Sequence, residues 1–273
     1  MSATIISVAT TGAWPGKEDN PAVPITPEEI AKDVIECYHA GASVAHLHMR
    51  DEQGRGSMDK NLFKKTVDLI RSECDILINL TTSGALDATN ETRQAHLRLL
   101  RPDLASYDAG TMNWMHAGIF ENHPAFLEEL GLTMQEIGVK PEIEVFDTSF
   151  LYNALYYQSK GVLKSPLFIQ FVLGAPGGIA ATVENLVFLK NLLPEDAVWS
   201  AFGIGKNHLP ILYATLALGG HIRVGMEDNV MYRKGELATS NAQFVRRAVR
   251  IIEEMDRKVA TVEEAANILG VRK

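Results

Sequence analysis

Two histidines stand two residues apart in the segment SVAHLHM, residues 43–49, whose composition is typical of a short β-strand. Because side chains alternate along a strand, His46 and His48 are predicted to project from one face. Two imidazoles so placed are able to bind one metal ion from neighbouring positions. The alternative is one solvated and one core histidine, and this pair alone does not decide between the two.

A carboxylate near the end of the last predicted strand strengthens the metal hypothesis. Glu227 falls on the same predicted face as Arg223 and Gly225. If that strand closes a barrel against the first strand, Glu227 reaches His46 and His48 across the barrel mouth. Two histidines and one carboxylate form a catalytic zinc arrangement, and without thiolates Mn²⁺, Fe²⁺ or Co²⁺ also fit. The alternative is that Glu227 only pairs with Arg223.

The next residue along the chain, Asp228, points differently from Glu227 and need not be a ligand. A carboxylate beside a metal and near Arg223 is a reasonable general base. The alternative is a structural cap for the turn that follows, which is a common role of aspartate.

Other polar side chains also concentrate at the ends of predicted strands. Taken singly, each fits a structural role, but their convergence on strand ends predicts a binding site. They are Asn79, Thr81 and Ser83 on the third strand, Asp108, Thr111 and Asn113 at the end of the fourth, and Glu142 and Glu144 on the fifth.

Two glycine-rich stretches follow the sixth and seventh predicted strands. The first contains Gly174, Pro176, Gly177 and Gly178, and the second contains Lys206 in the run GIGKN. Backbone N–H groups in such loops are able to cradle anionic oxygens, and the lysine adds a positive charge. The alternative is a pair of tight turns, and neither stretch matches a P-loop.

The elements that must position these residues alternate between β and α along the whole chain. Eight β-like runs are predicted at 4–11, 43–49, 75–82, 104–109, 141–147, 167–173, 197–203 and 221–226. Helices are predicted from Thr26 to Gly41 and at 59–72, 89–100, 124–137, 149–160, 181–193, 208–218, 239–256 and 261–269. The segment 12–25 is the longest predicted loop.

This alternation predicts an α/β fold, a single (β/α)₈ TIM barrel domain over residues 1–273 with an extra C-terminal helix at 261–269. Active sites in such barrels lie at the carboxyl ends of the strands, where the polar residues above occur. A doubly wound sheet is the alternative, but the turn after the first strand, TTGAWPG, lacks its glycine fingerprint.

Composition excludes several classes of protein. Among 273 residues, 34 are acidic and 26 basic, which gives a net charge of −8 and no electrostatic footprint for nucleic acid or an anionic membrane. With only Cys37 and Cys74 a disulfide framework is excluded, and a cytoplasmic location is expected. The N-terminus does not resemble a signal peptide, and no apolar run approaches the ~20 residues that span a membrane.

Together these segments resemble the β-keto acid cleavage enzyme family over nearly the whole chain. The resemblance is carried by ITPEEIAKD, HLHMRD, GTMNW, HPAFLEEL, PEIEVFD, FVLGAPGG, GIGKNHLP, GGHIRVGMEDN and YRKGELATSNAQFVRRAVRI. It implies a (β/α)₈ barrel with a catalytic zinc, assembled as a homotetramer. The implied reaction converts a β-keto acid and acetyl-CoA, as co-substrate, into acetoacetate and a new acyl-CoA.

The resemblance also implies roles for individual residues. The zinc ligands fall on His46, His48 and Glu227, and the base on Asp228 assisted by Arg223. Contacts to the substrate carboxylate fall on Ser83 and Thr111 with the neighbouring loop backbone, and Asn113 and Glu144 are further candidates for substrate binding. The loop facing coenzyme A falls on Gly174 to Gly178, with Lys206 as an added candidate.

Trp14 departs from the family pattern. Members that act on 3-keto-5-aminohexanoate carry a glutamate at this position, just after Thr-Gly-Ala of the first strand, where it can meet the substrate ammonium. An indole offers apolar surface instead, which predicts a β-keto acid with an uncharged or apolar tail. A trimethylammonium substrate held by a cation–π contact is a second possibility.

Two other functions compete with this one. Metal-dependent hydrolases on barrels also use His-x-His at a strand end, but they generally recruit further histidines from strands five and six. Here those strands offer Glu142, Glu144 and Gln170 instead. A non-enzymatic ligand-binding barrel would show no turnover and would tolerate Asp228→Asn.

Overall fold

The structure, a computed structural model, describes residues 3–83 and 88–272. Eight parallel strands form a closed barrel whose spatial order follows the chain order, which confirms the predicted fold. These strands are β1 Ile6–Ala9, β2 Val44–Leu47, β3 Leu77–Leu80, β4 Leu104–Asp108, β5 Lys140–Val145, β6 Phe168–Leu173, β7 Val198–Gly203 and β8 His221–Val224. Within the described ranges, no helix is long and apolar enough to cross a bilayer.

Helices follow the strands as the sequence pattern predicted. They are α1 Pro27–Ala40, α2 Lys60–Arg71, α3 Thr92–Leu100, α4 Pro124–Ile137, α5 Thr148–Ser159, α6 Val183–Lys190, α7 His208–Ala217, α8 Asn241–Glu254 and α9 Val262–Leu269. Two of these helices begin with a capping box, because Thr26 and Glu29 cap α1 reciprocally and Thr261 and Glu264 do the same for α9.

Contacts along the chain divide it into two compact units. The first consists of Met1–Ala105 and Arg223–Lys273, and in it α1 packs against α2 and α8. Its strands β1, β2 and β3 pair in parallel, with His46 opposite Ala9 on one side and Asn79 on the other. Strand β2 thus fixes the position of His46 within this unit. The number of domains, predicted as one, stays a prediction.

The second unit is Ser106–Ile222. Its strands β5, β6 and β7 pair in parallel along most of their length, and α7 packs on β7. Buried polar residues occupy matching register positions, with Gln170 between Glu144 and Ser200. Of this row only Glu144 belongs to the predicted strand-end cluster, whose other members in this unit are Asp108, Thr111, Asn113 and Glu142.

Some predicted boundaries were wrong for local reasons. The first strand, predicted at 4–11, divides into a short pairing at Ala3–Thr4 and the barrel strand β1. The last strand, predicted to reach residue 226, ends at Val224 because the chain turns at Gly225, where φ is +144°. Two hairpins, Met112–Trp114 with Gly118–Phe120 and Met231–Arg233 with Glu236–Leu237, were not predicted because their strands are only two or three residues long.

Candidate active site

The three predicted metal ligands lie together in the first unit. His46 is on β2 and His48 directly follows that strand, while Glu227 belongs to the turn after β8. Their imidazole Nε2 atoms lie 3.6 Å (His46) and 3.5 Å (His48) from Oε1 of Glu227. One candidate ligand atom from each residue lies within 4.8 Å of the other two, which is a cluster able to hold a metal ion.

The donor set fits a zinc ion. Zinc binds histidine nitrogen and carboxylate oxygen at about 2.0–2.1 Å, so two such ligands at a tetrahedral angle are about 3.4 Å apart. The nitrogen–oxygen separations of 3.5 and 3.6 Å match that spacing. The second oxygen of Glu227 is also buried without a hydrogen-bond partner among the described residues.

Electrostatics favour the protonation states that bind metal. Burial lowers the pKa of His46 well below its usual value against the opposing charge of Glu227, so this imidazole is neutral and able to coordinate. Burial alone would raise the pKa of Glu227, but Arg223 and the two histidines outweigh it and hold that pKa well below its usual range. The site thus offers a neutral imidazole at His46 and an ionised carboxylate at Glu227.

Glu227 reaches this position through a turn and not through strand alternation, so the predicted shared face with Arg223 and Gly225 was wrong in its geometry. Gly225 lies against β1 so closely that a Cβ would be 2.0 Å from the carbonyl oxygen of Ala9. That carbonyl accepts a hydrogen bond of 3.2 Å from the amide of Glu227. Gly12 also lies close to this turn, because a Cβ there would be 2.6 Å from Cγ of Glu227.

Asp228 is held by Arg223 in a two-point ion pair. The Nε atom of Arg223 donates to Oδ2 of Asp228 and its terminal nitrogen to Oδ1, each at 2.9 Å. The same terminal nitrogen donates to Oε1 of Glu227 at 2.5 Å. Arg223 therefore joins the proposed base to a candidate ligand, and the next helix, α8, is capped by Ser240 and not by Asp228.

Burial raises the pKa of Asp228 to about 6, although the charge and hydrogen bonds of Arg223 oppose this rise. A carboxylate with such a pKa binds a proton more strongly than an ordinary aspartate does and is still ionised at neutral pH. These are the properties that a general base requires.

The loop after β1 is anchored by Arg50. Its guanidinium donates to the carbonyl oxygens of Gly12, Thr11 and Pro15 at 2.6, 2.9 and 2.7 Å, and to that of Gly54 at 2.8 Å. Trp14 lies within this anchored loop with 62% of its surface exposed. The loop therefore presents the indole to solvent on a fixed backbone.

Ser83 is positioned by Thr81 in a tight turn after β3. Its amide donates to the Thr81 hydroxyl at 3.0 Å, and that hydroxyl donates to the Ser83 carbonyl at 2.5 Å. The Thr81 carbonyl in turn hydrogen-bonds Nε2 of buried His96. Gly84, the next residue along the chain, lies outside the described residues.

In the second unit, the structure brings the Asn113 segment and the Gly174–Gly178 loop together. The amide of Met115 donates to the carbonyl of Pro176 at 3.0 Å, and a Cβ on Gly177 would lie 1.7 Å from the Asn113 carbonyl oxygen. Gly177 has a φ of +99°, so both its conformation and its surroundings exclude a side chain. This part of the loop is thus a tight turn, in which the amides of Gly174 and Gly178 donate to the carbonyls of Ile179 and Ala175, each at 2.9 Å.

The remaining candidates in this unit differ in exposure. Thr111 and Asn113 are exposed, and the Thr111 hydroxyl accepts a hydrogen bond of 2.8 Å from the amide of Asn122. Lys206 is exposed on a short 3₁₀ turn, Gly205–Asn207, after β7. Glu144 is buried on β5, so a substrate would have to enter the protein interior to contact it.

Sequence reasoning missed the residues that hold the site by contacting backbone. Arg50 and Asn241 were not assigned such roles, and Gly12 was read only as part of a loop. A buried arginine beside a histidine pair is a usable signal, because its charge requires several acceptors. Backbone acceptors, in contrast, leave no mark in the residue types of the segment that supplies them.

Comparison with known proteins places this architecture in a family. A family model described as beta-keto acid cleavage enzyme matches residues 3–271. A 3-keto-5-aminohexanoate cleavage enzyme of Fusobacterium nucleatum is 40% identical over 100% of both chains. A 3-oxoadipate:acetyl-CoA acetyltransferase of Cupriavidus necator is 38% identical over 98% of this chain and 94% of its own.

Solved structures agree on the fold. The apo structure of ObcA superposes with a TM-score of 0.82 at 20% identity, covering 92% of this chain and 66% of that one, so this chain spans slightly less than two thirds of its length. At that identity the likeness concerns the barrel alone. The match of the family model and the full-length identity to its named members lead to one conclusion: the chain belongs to the β-keto acid cleavage enzyme family.

Proposed function

We propose that this protein is a zinc-dependent enzyme that transfers the acetyl group of acetyl-CoA to a β-keto acid and cleaves that acid. C2 of the keto acid loses a proton and bonds to the acetyl carbonyl carbon, while the C–S bond of acetyl-CoA breaks. The released coenzyme A thiolate then bonds to the keto carbon, the bond between C2 and the keto carbon breaks, and C2 regains the proton. The products are acetoacetate and an acyl-CoA built on the former keto carbon. The observation that carries the proposal is the cluster of His46, His48 and Glu227 beside the Arg223–Asp228 pair.

Asp228 is the group that accepts the C2 proton. Arg223 holds both of its oxygens, so the carboxylate keeps one orientation toward the substrate. The guanidinium also stabilises negative charge that develops near it. A metal ion held by His46, His48 and Glu227 would supply a Lewis acid for the substrate's oxygens and so acidify the C2 protons.

Other residues bind the two substrates. Ser83 and Thr111 contact the carboxylate of the keto acid, and Asn113 and Glu144 are further candidates for substrate binding. The loop Gly174–Gly178, including Pro176 and Gly177, together with Lys206, contacts coenzyme A. The fixed shape of the Gly174–Gly178 loop supports this assignment, because hydrogen bonds within the loop and to the Asn113 segment hold it in one conformation before a ligand binds. A homotetramer and a cytoplasmic location stay predictions.

The substrate carries an uncharged or apolar tail. Trp14 stands on the anchored loop after β1 and offers exposed aromatic surface, whereas a carboxylate would be needed to pair with an ammonium group. A trimethylammonium tail remains compatible through a cation–π contact. A 3-dehydrocarnitine:acetyl-CoA trimethylamine transferase of Rhizobium meliloti, 35% identical over 98% of this chain, shows that the family includes such an enzyme.

The test is acetyl-CoA-dependent turnover of a panel of β-keto acids with aliphatic, 5-amino, 5-hydroxy, dicarboxylic and trimethylammonium tails. Mass spectrometry would follow acetoacetate and the new acyl-CoA. We expect both products with zinc-loaded protein, none after chelation, and the highest kcat/KM with an aliphatic tail. A preference for the 5-amino acid would contradict the proposed tail.

Failure of every panel member with folded, zinc-loaded protein would contradict the reaction itself. Hydrolysis of an ester or amide by the same sample would then favour the hydrolase alternative. The described strands β5 and β6 contain no histidine to complete a hydrolase site, which is why cleavage of a keto acid is preferred.

A further inference from the structure

Asn241 is a completely buried amide that the reaction described above does not use. It is the first residue of α8, directly after the Ser240 cap. Its Oδ1 accepts a hydrogen bond of 2.7 Å from the amide of Met226. Its Nδ2 donates to the carbonyl of Thr10 at 3.0 Å and to Oδ2 of Asp33 at 2.6 Å.

The two backbone groups that Asn241 binds belong to segments that carry the site. Met226 directly precedes Glu227 and Asp228, and Thr10 follows β1 and precedes the loop of Trp14. The same two segments already meet where the amide of Glu227 donates to the carbonyl of Ala9. Asn241 therefore adds a second connection between the same two segments. It binds Met226 and Thr10, which are the chain neighbours of Glu227 and Ala9.

Only an amide side chain satisfies this junction. Met226 presents a donor while Thr10 presents an acceptor, so the residue between them must accept on one side and donate on the other. An ionised carboxylate at position 241 would have no hydrogen to share with the Thr10 carbonyl or with an ionised Asp33. A flipped amide would make the same mismatch at both backbone groups.

Asp33, on α1, holds the amide in this orientation. Its carboxylate accepts from the NH₂ group of Asn241 and from the backbone amide of the same residue, and in its ionised form it has no donor to offer a flipped amide oxygen. Burial raises the pKa of Asp33 to about 7 against the hydrogen bond from Asn241, with the charge of Glu36 adding to the rise. Burying a carboxylate is costly, and here the group is placed where it orients one side chain.

We propose that Asn241, oriented by Asp33, is a positioning residue that sets the backbone of Met226–Asp228 and thereby directs Glu227 toward His46 and His48 and Asp228 toward Arg223. The proposal rests on the proposed function for its meaning in catalysis. The alternative is that the amide stabilises the barrel without affecting the geometry of the site.

The experiment compares Asn241→Asp with Ala248→Gly. The aspartate keeps the size of the side chain and the acceptor for Met226, but it loses both donors. Ala248 is buried on the same helix and makes none of these contacts. Its glycine variant should lower the stability of the helix by about 1 kcal/mol, so it is a control for destabilisation of α8 without loss of the Asn241 hydrogen bonds. Urea unfolding of each metal-free protein would establish that the comparison is made at similar stability.

Two readouts distinguish positioning from stability. In the metal-free proteins, we expect amide hydrogen exchange of the peptide spanning residues 225–230 to rise at least tenfold in Asn241→Asp and less than twofold in Ala248→Gly. In a chelator competition assay, Asn241→Asp should bind zinc at least tenfold more weakly than wild type. Equal effects of the two substitutions, or no change in Asn241→Asp, would overturn the proposal.

Asp33→Asn provides a second variant if Asn241→Asp does not fold. It removes the charge that orients the amide and keeps the shape, so a three- to fivefold rise in exchange at 225–230 is expected, and wild-type exchange would overturn the role of Asp33. If wild type itself binds no zinc, the proposed function fails in its metal requirement. The exchange experiment still decides the role of Asn241.

Discussion

Asp228 is expected to act in the chemical step without binding the metal ion. We expect Asp228→Asn to lower kcat by about 100-fold or more, the usual effect of removing a general base. An amide offers one oxygen where the carboxylate offers two, so Arg223 loses one of its paired hydrogen bonds. Because His46, His48 and Glu227 remain, zinc affinity should stay within about threefold of wild type.

Steady-state kinetics and chelator competition on the same preparations would check this prediction. Asp51→Asn is the matched control, because Asp51 pairs with exposed Arg55 and contacts none of the three candidate ligands in its hydrogen bonds. An Asp228→Asn variant with at least half of wild-type kcat would assign the base to another group.

Trp14 carries the prediction about substrate choice. Trp14→Glu places a carboxylate on the loop that Arg50 anchors, so we expect the ratio of kcat/KM for the 5-amino acid over the aliphatic acid to rise at least tenfold. Trp14→Phe keeps an apolar ring and should change that ratio by less than threefold. A ratio that is unchanged in Trp14→Glu would remove Trp14 from the specificity site.

Residue types and spacing predicted the composition of this site better than its geometry. The histidine pair was predicted from two-residue alternation, and the structure does place both Nε2 atoms near Glu227. The route of Glu227 was not predictable, because it depends on the positive φ of Gly225 and its close approach to Ala9. This contact joins two backbone segments that are far apart in sequence, so the residues of one segment alone do not predict it.

At the scale of elements, Arg50 ties the loop after β1 to the segment after β2. Its guanidinium has four carbonyl acceptors, and hydrogen bonds that involve a charged group contribute about 1.5–3 kcal/mol each. We expect Arg50→Met to increase local opening of this loop and with it tryptic cleavage after the exposed Lys17 by about tenfold.

Limited proteolysis followed by mass spectrometry would measure the cleavage after Lys17. Arg55→Gln is the matched control, because Arg55 is exposed and its ion pair with Asp51 contributes little to stability. Arg50→Lys retains the charge but reaches fewer carbonyls, so its cleavage rate should fall between those of wild type and Arg50→Met. Wild-type cleavage in Arg50→Met would show that the loop is fixed by other contacts.

Element type was predictable here wherever the pattern was long. Helices with strong caps, such as α1 at Thr26 and α9 at Thr261, began where the sequence indicated. The helix predicted at 89–100 begins instead at Thr92, and its N-cap residue, Glu91, makes no side-chain capping bond. Short hairpins escaped prediction because two or three residues carry too little periodicity.

At the scale of the whole molecule, Asp103 joins chain segments that are far apart in sequence. Its carboxylate accepts from Arg272 near the C-terminus, from Arg71 at the end of α2 and from the amide of Ile78 on β3. Burial alone would raise its pKa, but the hydrogen bonds from Arg272 and Ile78, with the charge of Arg71, hold the pKa of Asp103 below its usual value. The ionised form therefore stabilises the fold.

This arrangement predicts a pH dependence of definite sign. Because the pKa of Asp103 is lower in the folded state, its contribution is complete above the unfolded-state pKa and is lost as pH falls through the folded-state pKa. We expect Asp103→Asn to lower the free energy of unfolding by about 2 kcal/mol at pH 7, from lost charge-assisted hydrogen bonds. The difference from wild type should shrink steadily below about pH 4, because wild-type Asp103 then becomes neutral as well.

Urea unfolding midpoints of wild type and Asp103→Asn between pH 7 and pH 3 would test this. Asp68→Asn is the matched control, since Asp68 is an exposed aspartate with a single lysine partner, Lys64. Its difference from wild type should be small at every pH. A difference for Asp103→Asn that is constant with pH would contradict the role of the charge, because protonation of Asp103 in wild type would then leave its contribution to stability unchanged.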